Sequence, residues 1–222
     1  MSAETIVQRQ LDTYNAQELE AFLACFADDC LLCDISGAVI QNGIGQIRAR
    51  YAQLFAQYPK NRARIVNRIA VGDVVIDHEA ISRAPGEEFE AIAIYTVRGG
   101  VIVRVNFARG EGGAGAEVVQ RQIDAYNAHD VERMCACYTE DCVFAELNGE
   151  VRQQGRAAIQ ARYAQTFAQF PQNRAHAANR IALGAYVVDD EQGERAPGVD
   201  PFRVGAIYTI RDGLIARCDF VR

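Results

Sequence analysis

The sequence predicts an α+β protein of two tandem cone-shaped α+β barrels, each with three helices packed on a curved, mainly antiparallel sheet. Three observations predict it. The chain repeats itself, helical spacing of apolar residues gives way to strands within each copy, and a glycine-rich segment separates the copies. At 222 residues, each copy has roughly 110 residues and can bury its own core.

The duplication covers almost the whole chain. The segment "VQRQLDTYNA", starting at Val7, recurs as "VQRQIDAYNA" at a shift of 112 positions. After one inserted residue, "AIYTVRGGVIVRVNF" recurs as "AIYTIRDGLIARCDF" at a shift of 113 positions. The repeat predicts a first domain over residues 1–109, a flexible linker over 110–115, "GEGGAG", and a second domain over 116–222.

Each copy begins with helical patterns. In the first copy "ETIVQRQLDTYNA" and "QELEAFLACF" carry apolar residues at helical spacing, which predicts two helices. A strand pair follows, "CLLCDI" and "AVIQ", with Gly37 at its turn. The segment "GIGQIRARYAQLFAQYP" returns to helical spacing, and Pro59 ends this third helix.

Four strands complete each copy. In the first copy they are "ARIVNRIAVG", "VVIDHEAISR", "FEAIAIYTV" and "VIVRVNF". A meander of this length after the helices favours a curved sheet wrapped around them. Such a cone has an apolar interior that is open at one end.

Charge and termini limit the function classes. A formal charge of -6 argues against a nucleic-acid partner, because phosphates require a basic face. No apolar run approaches the roughly 20 residues that a bilayer requires, so no membrane partner is expected. The first residues, "MSAETIVQRQ", lack a basic region followed by an apolar one. We therefore expect a cytoplasmic protein.

The cysteines and histidines indicate neither a disulfide framework nor a metal site. Seven cysteines are an odd number, and buried, reduced thiols are expected for all of them. None of the three histidines recurs in the other copy, and no cluster has the spacing of metal ligands. No glycine-rich phosphate loop appears either. The sequence predicts no metal and no cofactor.

The element order, together with "YNA", "DDC", "IDHE", "RAPG" and the closing "YT", resembles the nuclear transport factor 2-like superfamily. The greatest similarity is to its SnoaL-like branch, which includes ketosteroid isomerases. The resemblance covers both copies and implies a pocket inside each cone for a small apolar molecule. It also implies pairing through the outer face of the sheet, which would make the two halves an intrachain pseudo-dimer. A linker of about six residues, which spans roughly 13 to 15 Å, permits this.

The resemblance also implies a catalytic base. The family's base, a carboxylate after the second helix, falls on Asp34 and, in the second copy, on Glu146. Strand alternation places Asp34 on the face of Leu32 and Cys30, and apolar surroundings would raise its pKa. The alternative is an ordinary acid at a strand end before a turn.

The family's other catalytic positions are not retained. The oxyanion-hole positions hold Gln10 and Ala93 in the first copy, and Gln122 and Ala206 in the second, so steroid isomerisation is not expected. Aromatic residues either line the pocket or pack in the core. They are Tyr14, Tyr51 and Phe55 and, in the second copy, Tyr126, Tyr163 and Phe167.

A second acidic group lies on one strand. Asp77, Glu79 and Arg83 share one strand face, and Asp189, Glu191 and Arg195 repeat them. Epoxide hydrolases of the superfamily use two carboxylates bridged by an arginine, which here could come only from Arg104 or Arg217. An ionic ladder on the outer face of the sheet is the favoured interpretation.

Two functions remain open at this point. The first is binding of a small apolar or aromatic molecule in each cone, with a cofactor-free isomerase, cyclase, lyase or hydrolase activity that uses Asp34 and Glu146. The second is a non-catalytic ligand-binding or assembly module that acts through its sheet surface.

Overall fold

The computed structural model describes all residues from 1 to 222, which form two compact units, Met1–Arg109 and Gly110–Arg222. Each unit contains three helices and one six-stranded sheet. The predicted α+β class and the predicted order of helices and strands are confirmed. None of the helices is both long and apolar enough to cross a membrane.

The first unit begins with two helices and a strand pair. Ser2 caps the first helix by accepting a hydrogen bond from the Thr5 amide, and Gln17 ends it in the left-handed conformation, with φ of 59°. The elements are α1 (Ala3–Ala16), α2 (Leu19–Leu23), β1 (Phe26–Asp34), β2 (Val39–Asn42), α3 (Ile44–Gln57), β3 (Arg62–Val71), β4 (Val74–Ser82), β5 (Glu88–Arg98) and β6 (Val101–Arg109).

The second unit repeats this order. Asp130 caps its second helix through the Arg133 amide. The elements are α4 (Ala116–Asn127), α5 (Val131–Cys135), β7 (Tyr138–Glu146), β8 (Val151–Gln154), α6 (Arg156–Gln169), β9 (Arg174–Leu183), β10 (Tyr186–Glu194), β11 (Phe202–Arg211) and β12 (Leu214–Val221).

Both sheets have the same topology. The strand order is β2-β1-β6-β5-β4-β3 in the first unit and β8-β7-β12-β11-β10-β9 in the second. Only the pairs β1–β6 and β7–β12 are parallel, and the others are antiparallel. In the first unit the helices cover one face of the sheet and enclose a core that includes Val7, Phe22, Ile47 and Ile102. The sheet and helices thus enclose the interior in which the cavity lies.

The glycine-rich segment contacts the β9–β10 turn of the second unit. The Gly184 amide, in the β9–β10 turn, donates a 2.7 Å hydrogen bond to the Gly112 carbonyl. A Cβ atom on Gly110 would lie 2.7 Å from the Gly184 Cα, so only glycine permits this approach. Residues of this segment thus contact the second unit, and a flexible linker over 110–115 stays a prediction.

The cysteine prediction is confirmed. All seven cysteines are free and buried. Burial raises the pKa of the Cys30 thiol and of the Cys142 thiol to about 12, so both stay protonated at neutral pH.

Candidate functional site

The first unit contains a cavity of about 600 Å³, which lies within the usual range for small-molecule sites. It is enclosed by α1 and α3 on one side and by β4, β5 and β6 on the other. The lining combines apolar and aromatic side chains with a few polar ones, among them a single carboxylate, Glu79.

Glu79 lies on β4 with only 8% of its surface exposed. The Tyr95 hydroxyl donates a 2.9 Å hydrogen bond to Glu79 Oε1. The partner of Glu79 on the neighbouring strand is Ala91, whose small side chain leaves space beside the carboxylate. Burial, with a smaller contribution from the nearby Asp77, raises the pKa of Glu79 to about 7. Glu79 can therefore both accept and release a proton near neutral pH.

Asp77 lies two residues before Glu79 and is also buried. It is directly opposite Arg68 on β3, whose Nε and Nη2 atoms bind its two carboxylate oxygens at 2.6 and 2.7 Å. Arg68 Nη1 also donates to Gln8 of α1, at 3.0 Å. The ion pair thus ties the strand pair β3–β4 to the helix that covers it.

These contacts correct the prediction made for Asp77, Glu79 and Arg83. The carboxylates do not form a ladder on the outer face, because Glu79 lines the cavity and Arg68, the partner of Asp77, reaches the covering helix. The arginine paired with Asp77 is Arg68, whereas Arg104 donates a hydrogen bond to the Gly37 carbonyl. Arg83 lies at the cavity border, with its guanidinium 4.9 Å from the Phe89 ring centroid.

Two further polar side chains of α1 line the cavity. Asn61 donates a hydrogen bond to the Tyr14 phenolic oxygen, so the hydroxyl hydrogen of Tyr14 is free to point toward a ligand. Burial raises the pKa of Tyr14 and keeps it protonated. Gln10 is 6% exposed, and its amide oxygen has no hydrogen-bond partner. Both residues can form hydrogen bonds to an oxygen atom of a bound molecule.

The predicted aromatic residues divide between cavity and core. Tyr51 lines the cavity and also packs on Phe22, with ring centroids 4.4 Å apart. Phe55 is not part of the lining and instead packs edge-on against Tyr14, at 5.6 Å. In the first unit, therefore, the aromatic stripe supports the cavity wall without filling the space.

Asp34 is not part of the cavity lining. Its carboxylate accepts hydrogen bonds from the Ser36 hydroxyl, at 2.6 Å, and from the Ala38 amide, at 3.0 Å. These bonds lower the pKa of Asp34, so the raised pKa predicted from its sequence neighbours is wrong. Asp34 is the last residue of β1, and its carboxylate is bound by the turn that follows the strand.

The second unit repeats this acid as Glu191, which is half-buried. Tyr208 donates a hydrogen bond to Glu191, and burial raises the pKa of Glu191 to about 7. Arg180 binds both carboxylate oxygens of Asp189, at 2.6 and 2.7 Å. The cavity beside Glu191 measures only about 180 Å³.

Two side chains that line this second cavity are larger than their counterparts in the first unit. Val204 stands where the first unit has Ala91, and Phe144 stands where it has Leu32. Tyr126 and Tyr163 line the space, whereas Phe167 packs against the His129 ring with centroids 4.8 Å apart.

Glu146 does not line the second cavity. It forms ion pairs with Arg152 and Arg222, which do line it. The carboxylate predicted as a base therefore neutralises cations at the border of the cavity.

The comparisons with known proteins agree with this architecture. A family model described as a SnoaL-like domain matches residues 7–105 and again residues 119–218. No curated protein matches the chain at a significant level.

Several solved structures are similar to about half of the chain. A cystatin-fold protein from Novosphingobium aromaticivorans is 30% identical, with 49% of this chain and 99% of that chain covered and a TM-score of 0.47. A SnoaL-like protein from Burkholderia thailandensis is 16% identical, with 49% and 93% covered and a TM-score of 0.43. An NTF2-like protein from Cytophaga hutchinsonii is 13% identical, with 49% and 90% covered and a TM-score of 0.42.

Proposed function

The chain belongs to the SnoaL-like domain family in both of its units, and from this premise we propose that its first unit binds a small apolar carbonyl compound and moves a proton beside the carbonyl. Glu79 is the general base of this cofactor-free reaction. The observation that carries the proposal is a single buried carboxylate with a pKa of about 7 on the wall of a cavity of about 600 Å³.

The pKa of Glu79 suits this task. A general base is most effective when its pKa is close to the working pH, because it is then both ionised and sufficiently basic. The ionised Glu79 accepts a proton from the carbon next to the carbonyl, and the electron pair of that C–H bond moves to the carbonyl oxygen as an enolate. Return of the proton to a different carbon isomerises the compound.

The enolate oxygen requires hydrogen-bond donors. Tyr14 and the side-chain amide of Gln10 line the same cavity and can donate to this oxygen. They come from α1, opposite the strand that carries Glu79, so a flat molecule between helix and sheet can contact both sides. Loss of one such donor typically reduces the rate about a hundred- to a thousandfold.

Deuterium exchange into 2-tetralone tests the proposal without knowledge of the natural substrate. This bicyclic ketone is apolar and has acidic hydrogens beside its carbonyl. We expect the full-length protein in D₂O to accelerate exchange above the buffer rate, as followed by proton NMR. Glu79→Gln keeps the acceptor for Tyr95 but removes the base, so we expect a loss of about a hundredfold or more.

The duplication provides a matched control. Glu191→Gln makes the same change beside the smaller cavity and should leave the exchange rate unchanged. Exchange no faster than in buffer, or full activity of Glu79→Gln, would contradict the proposed base. Binding of 2-tetralone without exchange would favour the non-catalytic ligand-binding function instead.

A further inference from the structure

Three arginines border the first cavity, and we refer to Arg50, Arg83 and Arg109 as the arginine cluster. Arg50 belongs to α3, Arg83 follows β4, and Arg109 ends β6. Since Glu79 is the single acid in the lining, cations outnumber anions there. This local excess of positive charge occurs in a chain whose formal charge is -6.

No member of the arginine cluster has a carboxylate partner within the chain. None of the three takes part in any of the ion pairs of the structure. Aromatic rings hold two of them instead, with the Arg83 and Arg109 guanidiniums 4.9 and 4.2 Å from the Phe89 ring centroid. The Arg83 Nε atom is buried and has no hydrogen-bond partner. The aromatic contacts thus hold the guanidinium groups of Arg83 and Arg109 in place, but no carboxylate neutralises their charge.

The three charges also act on one another. Burial and the neighbouring guanidiniums of Arg83 and Arg50 lower the pKa of Arg109. An anion bound among the arginines would offset this repulsion and would supply acceptors for their free N–H groups.

In the second unit, one of the equivalent arginines has a carboxylate partner. Its equivalent arginines are Arg162, Arg195 and Arg222, and Glu146 forms an ion pair with Arg222. The residue equivalent to Glu146 in the first unit is Asp34, which is one methylene shorter and is bound to Ser36 and Ala38. The first unit therefore lacks the internal counter-ion that the second unit has.

We propose that the first cavity binds an apolar carboxylate, whose anionic group contacts the arginine cluster while its rings extend toward Glu79. The planar fork of a guanidinium matches the two oxygens of a carboxylate. The inference rests on the proposed function only in that both use this cavity. It does not require Glu79 to act as a base.

The strand register indicates the length of this ligand. Arg83 follows Glu79 by four residues, or about 13 Å between Cα atoms along a strand. Arg109 and Glu79 are both register partners of Ala91, from opposite sides, which separates them by about 10 Å across the sheet. The carboxylate and the carbon next to Glu79 thus lie at opposite ends of a molecule with about two rings.

Calorimetric titration of the full-length protein with two matched probes tests the proposal. Biphenyl-4-carboxylate and biphenyl-4-carboxamide share a shape and differ in charge. We expect the carboxylate to bind about tenfold more tightly or better, which is the effect of one hydrogen bond to a charged group. One molecule should bind per chain, and 500 mM NaCl should reduce the preference because the arginines are partly exposed.

Matched variants assign the preference to this cluster. Arg83→Met keeps an apolar side chain over Phe89 and should reduce the preference to less than about threefold, whereas Arg195→Met, its equivalent in the second unit, should leave it intact. Glu79→Gln should retain or increase it, because the change removes a negative charge from the same cavity, and this separates the result from the exchange assay. Equal affinity of the two probes, no binding of either, or an unaffected Arg83→Met would overturn the proposal, whatever the result with 2-tetralone.

Discussion

The hydrogen bond from Tyr95 reduces the free-energy cost of burying the Glu79 carboxylate in an apolar interior. Burial disfavours the charged form of Glu79, while the Tyr95 hydroxyl stabilises it through a hydrogen bond. The pKa of about 7 is the balance of these opposing effects. A change to either one should therefore move the pH at which Glu79 becomes an effective base.

Removal of the Tyr95 hydroxyl tests this balance. Because that hydrogen bond lowers the pKa of Glu79, Tyr95→Phe should raise it above 7. The midpoint of the pH–rate profile for 2-tetralone exchange should then move upward by about one pH unit, the value of a typical hydrogen bond. Tyr208→Phe makes the equivalent change in the second unit and should leave the midpoint in place. A midpoint that Tyr95→Phe does not move would show that another group controls the rate.

At the scale of elements, the ion pair between Arg68 and Asp77 joins β3, β4 and α1 beneath the cavity. The Asp77 side chain is 1% exposed, and that of Arg68 is 17% exposed. Two charges held so far from water depend on each other, because either one alone would be buried without a partner. The pair thus fixes the strand from which Glu79 projects.

Arg68→Met should therefore destabilise the protein by about 3 to 5 kcal/mol, since it leaves Asp77 buried and unpaired. Arg48→Met breaks a pair on the surface, where the side chains of Arg48 and Glu20 are 47% and 75% exposed, and should cost less than about 1 kcal/mol. The free energy of unfolding from urea denaturation measures both changes. Similar losses for the two variants would show that burial does not determine the strength of the Arg68 pair.

The sequence predicted the elements better than the position of the acids. Helical and alternating patterns identified every helix and strand, because each is a local property. On β4, however, residues on both faces are buried, so alternation could not show which face carries Glu79. The small alanines opposite the acids, Ala91 and Ala93, were the available signal. Asp34 was misplaced because its carboxylate binds Ser36 and Ala38 in the turn after β1, which is the alternative that the sequence had left open.

At the scale of the whole molecule, both copies have an acid with a raised pKa, but the cavities beside these acids differ. Glu79 and Glu191 both have a pKa of about 7, yet the adjoining cavities measure about 600 and 180 Å³. The raised pKa is therefore common to both units, while the larger cavity occurs in the first unit. Pairing of the two halves as a pseudo-dimer stays a prediction.

The raised pKa values of Glu79 and Glu191 should make stability depend on pH. Glutamate has an ordinary pKa of 4.5, whereas folding raises that of Glu79 to about 7. Between these values the folded state binds more protons than the unfolded state, so stability falls as the pH rises. The shift corresponds to about 3 kcal/mol for each residue.

Glu79→Gln removes this dependence at one site. The free energy of unfolding of the unmodified protein should fall as the pH rises from 5 to 8, whereas that of Glu79→Gln should not fall through this site. The difference between the two proteins should therefore grow by about 3 kcal/mol over this range, and Glu191→Gln should show a similar growth. Glu88→Gln, at an exposed glutamate, should show no such gain. Urea denaturation at each pH measures the differences. If the difference between Glu79→Gln and the unmodified protein stays constant with pH, Glu79 titrates at its ordinary pKa. That result would contradict the proposal that Glu79 is a general base near neutral pH.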